Sequence, residues 1–255
     1  MTKTELNRYL NEISEAVSSA DDIKGLRAQS ESVRDRYRNK DAKGRDLEIR
    51  DAGEARAYLA WRWPVTAMVI HEVLGRLLEV WPEFSPQSVL DLGAGPAVSV
   101  LPASLLFPEL GQVTLMEEQP AMMEVGDLML KQIRSSLSSA LTILWHQADF
   151  LKEELPAADL ILASYAANEL SFAESQRFCE ALKGSSARAI VLIVPGTPEH
   201  FEGLTSIRNR LVADGFSILA PCTFTGPCPM EGEADWCHFY LRVQRSRLLG
   251  VADGI

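Results

Sequence analysis

The chain has 255 residues, 47% of them hydrophobic and 24% charged, and a formal net charge of −10. That length suits one α/β domain with an extension, large enough to fold without disulfides or a structural metal. The acidic balance excludes a surface that binds nucleic acid indiscriminately, though not a local basic patch, and no run of about 18 apolar residues is present to span a membrane.

Residues 1–80 read as a helical extension. Leu6, Leu10, Ile13 and Val17 recur three or four apart and form one apolar stripe, and Thr2 with Glu5 has the spacing of a capping box. The first twenty residues lack the apolar stretch of a signal peptide, so a cytoplasmic protein with reduced thiols is expected. A second helix is expected to carry Ile23, Leu26, Val33 and Tyr37. Residues 24–62 hold eleven Lys/Arg against seven Asp/Glu. Such a segment is either a basic arm for phosphate or a solvated helix face. The run A-R-A-Y-L-A-W-R-W-P-V-T at 55–66 interleaves Arg56, Tyr58, Arg62 and Trp63 ahead of a helix reaching residue 80. Those side chains either meet nucleic acid or a cofactor's edge, or cover the core with wet guanidinium tips.

The organising stretch is S-V-L-D-L-G-A-G-P-A-V at 88–98. Val89, Leu90 and Leu92 make a short buried strand. Gly93, Ala94 and Gly95 make a tight turn where a ligand can approach the backbone, and Pro96 suits the first position of a helix. A dinucleotide loop needs G-x-G-x-x-G, but its third glycine is replaced by Val98. The alternative to a ligand loop is a plain glycine-rich turn. Asp91, two places before the first glycine, decides the reading. A carboxylate there answers a cationic amino group, and D-x-G-x-G is the pattern of S-adenosylmethionine methyltransferases.

The helix after this turn meets Pro102 and stops near Pro108, and residues 112–116 read as a second strand. Glu117 and Glu118 follow it, placed to accept ribose hydroxyls. Residues 141–145 read as a third strand, after which Asp149 is a candidate for the adenine amino group and Phe150 for its face. A fourth strand at 159–163 opens into S-Y-A-A-N-E-L, so Ser164, Tyr165 and Asn168 are candidates for lining the methyl-transfer site. This exit is not the N-P-P-Y type that suits exocyclic amines, and it has no cysteine for covalent attack on a pyrimidine. A helix at 172–182 contains Cys179, read as core. A fifth strand spans 189–194, a helix 201–214, and two last strands, 216–220 and 238–243, form an antiparallel pair because no helix separates them. The fold expected is α/β and Rossmann-like. It has the class I methyltransferase architecture, with a seven-stranded, mostly parallel sheet over 81–250.

The insertion at 221–237 brings Cys222, Cys228 and Cys237 into sixteen residues rich in proline and glycine. Converging thiolates bind zinc or an iron–sulfur cluster. The spacing is not C-x-x-C, and a fourth ligand would have to be His238 or the distant Cys179. The other readings are three free thiols in a tight loop and a Pro-Cys nucleophile of a 5-methylcytosine enzyme, the last disfavoured because the loop follows the wrong strand.

Several segments together are similar to one family, the methyltransferase-like proteins of the small ribosomal subunit, whose mitochondrial members assist assembly of that subunit. They are A-R-A-Y-L-A-W-R-W-P at 55–64, V-L-D-L-G-A-G-P at 89–96, D-L-I-L-A-S-Y-A-A-N-E-L at 159–170 and P-G-T-P at 195–198. Two more lie at the C-terminal side, A-P-C-T-F-T-G-P-C-P at 220–229 and W-C-H-F-Y-L-R-V-Q-R-S-R-L at 236–248. The resemblance implies a methyltransferase fold, association with small-subunit ribosomal RNA, and an iron–sulfur cluster on Cys222, Cys228 and Cys237, with zinc as the alternative. It also implies that Asp91, Gly93, Gly95 and Glu117 face S-adenosylmethionine. Two departures stand out. Val194 replaces the family's acidic residue before Pro-Gly-Thr-Pro, and the β-rich tail that carries the family's fourth cysteine ligand does not follow residue 248 here. The function expected is methyl transfer on or near ribosomal RNA. A non-catalytic assembly factor that kept the fold, and a small-molecule methyltransferase, are the other two readings.

Overall fold

A computed structural model describes residues 2–18 and 51–244. The expected helix around residues 23–37 lies outside the described residues, as does most of the basic segment.

Helix α1, Lys3–Ser18, begins as its sequence directs. The Thr2 hydroxyl accepts from the Glu5 N–H at 3.2 Å, and the Glu5 carboxylate accepts from the Thr2 N–H at 2.8 Å. Its stripe of Leu6, Leu10, Ile13 and Val17 is buried. Helix α2, Ala52–Val80, starts at an Asp51 cap that accepts from the Glu54 N–H at 2.8 Å. It runs unbroken through Pro64 for 29 residues. Ala55, Leu59, Trp63, Ala67, Ile70, Leu74 and Leu77 fall three or four apart on it, and all are buried.

The sheet consists of β1 Ser88–Leu92, β2 Gln112–Glu117, β3 Thr142–Gln147, β4 Leu160–Ser164 and β5 Ala189–Ile193. Its order is β3-β2-β1-β4-β5, and every pair is parallel. Helices α3 Val100–Leu106 and α4 Pro120–Ile133 connect the first three strands, and α5 Phe172–Gly184 and α6 Pro198–Ala213 flank the last two. The order reverses between β1 and β4, the place where open α/β sheets hold their ligands.

Each face of the sheet has its own core. Val89, Val113, Leu115, Leu160 and Leu162 join α1, α2, α3 and α4 on one side. Leu90, Leu92, Met116, Ile161 and Ala163 join α5 and α6 on the other, around the fully buried Phe178 and Cys179. Cys179 is therefore core, as its sequence context suggested.

Three expectations change. Pro96 does not start a helix: residues 93–99 are turn, and α3 begins at Val100. Ala97 sits at φ +56° in that turn, a left-handed conformation no helix contains. The sheet has five strands among the described residues, not seven. Residues 216–220 and 238–243 make no ladder. The insertion between them is fastened by side chains instead. Arg208 of α6 donates to the carbonyls of Phe224 and Gly226, and the Trp236 indole donates to the Gly196 carbonyl at 3.0 Å. Among the described residues β5 is therefore an edge strand, as β3 is at the other side.

Candidate functional site

Strand parity sets the site. Side chains two apart on a strand share a face. Asp91 pairs in register with Leu115 of β2 and Leu162 of β4. Glu117 and Ser164 lie two residues beyond those partners. Asp91, Glu117 and Ser164 thus stand together on the α2 side, at the carboxyl ends of three adjacent strands. Apolar residues fill that face everywhere below them.

Asp91 is only 2% exposed. One carboxylate oxygen, Oδ2, accepts from the Ser99 hydroxyl at 2.5 Å, while Oδ1 is buried and has no partner among the described residues. Burial pushes its pKa up to about 7, the Ser99 hydroxyl opposes this, and the nearby Glu117 charge adds to it. A buried carboxylate with an unanswered oxygen is costly unless a cation arrives.

The glycine turn is held from both sides. The N–H groups of Gly93 and Ala94 donate to the Met116 carbonyl at 2.9 and 3.1 Å. The Gly95 N–H donates to Glu117 Oε2 at 2.8 Å, and the Gln119 N–H donates to Glu117 Oε1 at 2.9 Å. Burial raises the Glu117 pKa, and these N–H groups oppose it. Each oxygen keeps a second lone pair. From the other side, the fully buried Trp63 of α2 donates its indole N–H to the Pro96 carbonyl at 3.2 Å. Trp63→Phe keeps most of the packing and loses this bond, so we expect destabilisation of about 1–2 kcal/mol in chemical denaturation.

Gly93, at φ +66°, approaches the β4 exit closely. A Cβ there would lie 2.8 Å from the Ala166 Cβ and 3.8 Å from the Phe150 ring. The exit itself is strained, since Tyr165 holds φ +60° while its N–H donates to the Ile193 carbonyl at 2.8 Å. The Arg62 guanidinium lies 4.6 Å from the Tyr165 ring centre. Ser164 Oγ and Asn168 Oδ1 are buried without partners among the described residues. The cation–aromatic run on α2 therefore reaches the β4 exit through Arg62, while Trp63 serves the core.

The remaining candidates are placed less centrally. Phe150 packs edge-on against Phe178, with centroids 5.6 Å apart, and borders the glycine bend. Asp149 is tied to its own loop, accepting from the Leu151 N–H at 2.9 Å and pairing with Lys152 at 2.8 Å. Glu118 is exposed, unlike Glu117. Sequence reasoning missed Ser99 and Trp63 as the partners of the acid and the loop. The only trace of the first was a hydroxyl eight residues past Asp91.

The cysteine insertion does not assemble the expected metal centre. Cys222 and Cys237 are exposed, Cys228 is half-buried, and all are free thiols. No group of three or more His, Cys, Asp or Glu side chains is disposed to hold a metal among the described residues. The Arg208 clamp and the Trp236 bond shape the loop without bringing the thiols to one point. These residues, as arranged, do not fit an iron–sulfur cluster or zinc. No helix among the described residues is long and apolar enough to cross a membrane.

No curated protein matches the chain. Among solved structures it is similar to human N-acetylserotonin methyltransferase in complex with SAM, at 17% identity and TM-score 0.41, over 63% of this chain and 44% of that one. It is similar to a putative O-methyltransferase from Nostoc punctiforme PCC 73102, at 15% identity and TM-score 0.47, over 66% and 54%. It is also similar to magnesium protoporphyrin IX methyltransferase from Synechocystis PCC 6803 with bound SAM, at 12% identity and TM-score 0.46, over 77% and 92%. The chain spans about half the length of the first two proteins. These likenesses carry no chemistry across. The family model described as mitochondrial small ribosomal subunit Rsm22 matches residues 52–254. With most of its length matched, the chain belongs to the Rsm22 family of the small ribosomal subunit.

Proposed function

We propose that the chain is an S-adenosylmethionine-dependent methyltransferase acting on or near small-subunit ribosomal RNA. The observation that carries the reading is Asp91, whose buried Oδ1, without a partner among the described residues, stands at the sheet's reversal beside a bare glycine turn. A ligand that brings an ammonium group and a sulfonium answers that demand. Residues 81–250 are read as the methyltransferase body and 1–80 as its helical extension. The ribosomal partner is supported by the family's description alone.

In this reading Asp91 receives the amino group, and Gly93, Ala94 and Gly95 let the ligand approach the backbone. Glu117 accepts the ribose hydroxyls with its spare lone pairs. Phe150 flanks the base, with Asp149 near its amino group once Lys152 yields. When bound, the cofactor supplies an activated methyl whose departure leaves a neutral thioether. The protein's contribution is then mainly positioning. The test is calorimetric titration of S-adenosylmethionine into the purified chain, followed by transfer of labelled methyl to small ribosomal subunits. One-to-one binding and labelled RNA are expected. Absence of binding would refute the reading.

A further inference from the structure

We infer that the helical extension completes the cofactor site, with Arg62 of α2 binding the α-carboxylate of S-adenosylmethionine. This rests on the reading above that Asp91 receives the ligand's ammonium group. Ammonium and carboxylate stand on one carbon of that ligand. A site that answers the first must therefore answer the second close by.

The glycine bend does not supply the answer. The N–H groups of Gly93 and Ala94 are taken by the Met116 carbonyl, and that of Gly95 by Glu117. Pro96 has no N–H to give. The charged groups at the ends of β1 and β2, Asp91 and Glu117, are both acids and repel an anion. The matching charge has to be positive and has to come from outside these strands.

Arg62 has that place. Its chain neighbour Trp63 donates to the Pro96 carbonyl at 3.2 Å, which fixes this part of α2 against the bend. Its own guanidinium lies 4.6 Å from the centre of the Tyr165 ring. Tyr165 precedes Ala166, and a Cβ added to Gly93 would lie 2.8 Å from the Ala166 Cβ. Arg62 thus stands between the bend after β1 and the exit of β4, at the crevice where the strand order reverses. It lies on the side of the sheet that α2 covers, which is also the side of Asp91. Acid and cation do not pair with each other there. Asp91 Oδ2 is bonded to Ser99, and Oδ1 has no partner among the described residues. Opposite charges on one side of one crevice, not joined to each other, suit a zwitterion.

The guanidinium is also oriented. It donates to the Tyr58 hydroxyl one helical turn earlier, and the Tyr165 ring supports it. Five N–H donors are enough to serve Tyr58 and to meet a carboxylate with two parallel bonds. Arg62 is half-buried, so such a pair is worth more than it would be in open water.

The experiment compares two ligands by calorimetry on the full chain, S-adenosylmethionine and its decarboxylated form. The second keeps the ammonium and sulfonium groups and lacks only the carboxylate. The wild type should bind the decarboxylated form at least about 30-fold more weakly. Arg62→Ala should weaken S-adenosylmethionine by about the same factor without weakening the decarboxylated form, so that the preference disappears. Arg62→Lys, which keeps the charge but not the fork, should recover part of it. Asp91→Asn, by contrast, should weaken both ligands. Melting curves show whether each variant is folded. If Arg62→Ala is not, Arg62→Gln, which keeps most of the stem and a donor for Tyr58, takes its place. A wild type that binds both forms equally, or a folded Arg62 variant that keeps the preference or loses both ligands alike, would overturn the inference. Failure of the wild type to bind either form would overturn the underlying reading instead.

Discussion

Asp91→Asn should weaken S-adenosylmethionine binding by about 100- to 1000-fold, because it leaves a buried cationic ligand group without its counter-charge. Calorimetry on wild type and variant checks this directly. The binding should also depend on pH in a defined direction. Free Asp91 titrates at about 7 rather than the ordinary 3.8, with burial as the main cause. A cationic ligand favours the ionised form, so binding below pH 7 must expel a proton. Affinity should therefore fall about tenfold for each unit below 7. Titrations in buffers of different ionisation enthalpy should show close to one proton released at pH 6. Stability of the free protein runs the opposite way. A raised carboxyl pKa gives stability that is fully present below pH 3.8 and is lost as pH rises through about 7. Asp91→Asn should flatten that slope, a change visible in melts at pH 6 and 8. A variant that binds as tightly as wild type would remove Asp91 from the site.

Gly93→Ala should have the second large effect. The residue sits at φ +66°, and the new methyl would lie 2.8 Å from the Ala166 Cβ. The left-handed conformation alone costs an alanine about 1–2 kcal/mol. The clash adds to this, because Ala166 belongs to the exit whose Tyr165 is already left-handed and anchored to Ile193. Either the glycine turn or the β4 exit must move, and each carries half of the site. We expect a lower melting temperature and at least about a 30-fold loss of cofactor affinity. Gly95→Ala provides the comparison. Gly95 has φ +53°, but a methyl group added there would meet nothing within 4 Å, so backbone strain acts without the collision. Calorimetry and melting curves on the two variants distinguish steric closure from backbone strain. Equal effects would mean that the Ala166 contact is unimportant.

The parts of this fold that are local in sequence were legible there. The stripe of α1, the Thr2–Glu5 cap and the five parallel strands follow from spacing and capping chemistry. Asp91 and the two glycines were legible because a charge and a bare backbone at the end of an apolar strand are each anomalous. Partners set by tertiary packing were not. Nothing in the neighbourhood of Trp63 says that its indole reaches Pro96, and Ser99 resembles any residue preceding a short helix. The two missing strands show a different limit. Burial still alternates along 216–219, with Phe216 and Ile218 half-buried and Ser217 and Leu219 exposed, yet no strand among the described residues pairs with them. Alternation predicts a face, but a ladder also needs a free partner in register. The three thiols were read as converging because they crowd a short loop, but Arg208 holds that loop by its carbonyls and Trp236 by its indole, and the described thiols form no metal-holding group.

The shared parity of Asp91, Glu117 and Ser164 makes the site a proofreader of its own scaffold. Slip any of these three strands by one residue and its polar terminus swings to the α5–α6 side, while a leucine, methionine or alanine takes the vacated place. A misaligned sheet then offers no counter-charge to a cationic guest. If the proposed cofactor binds there, only correctly threaded molecules can hold it, and its presence draws the population toward them by mass action.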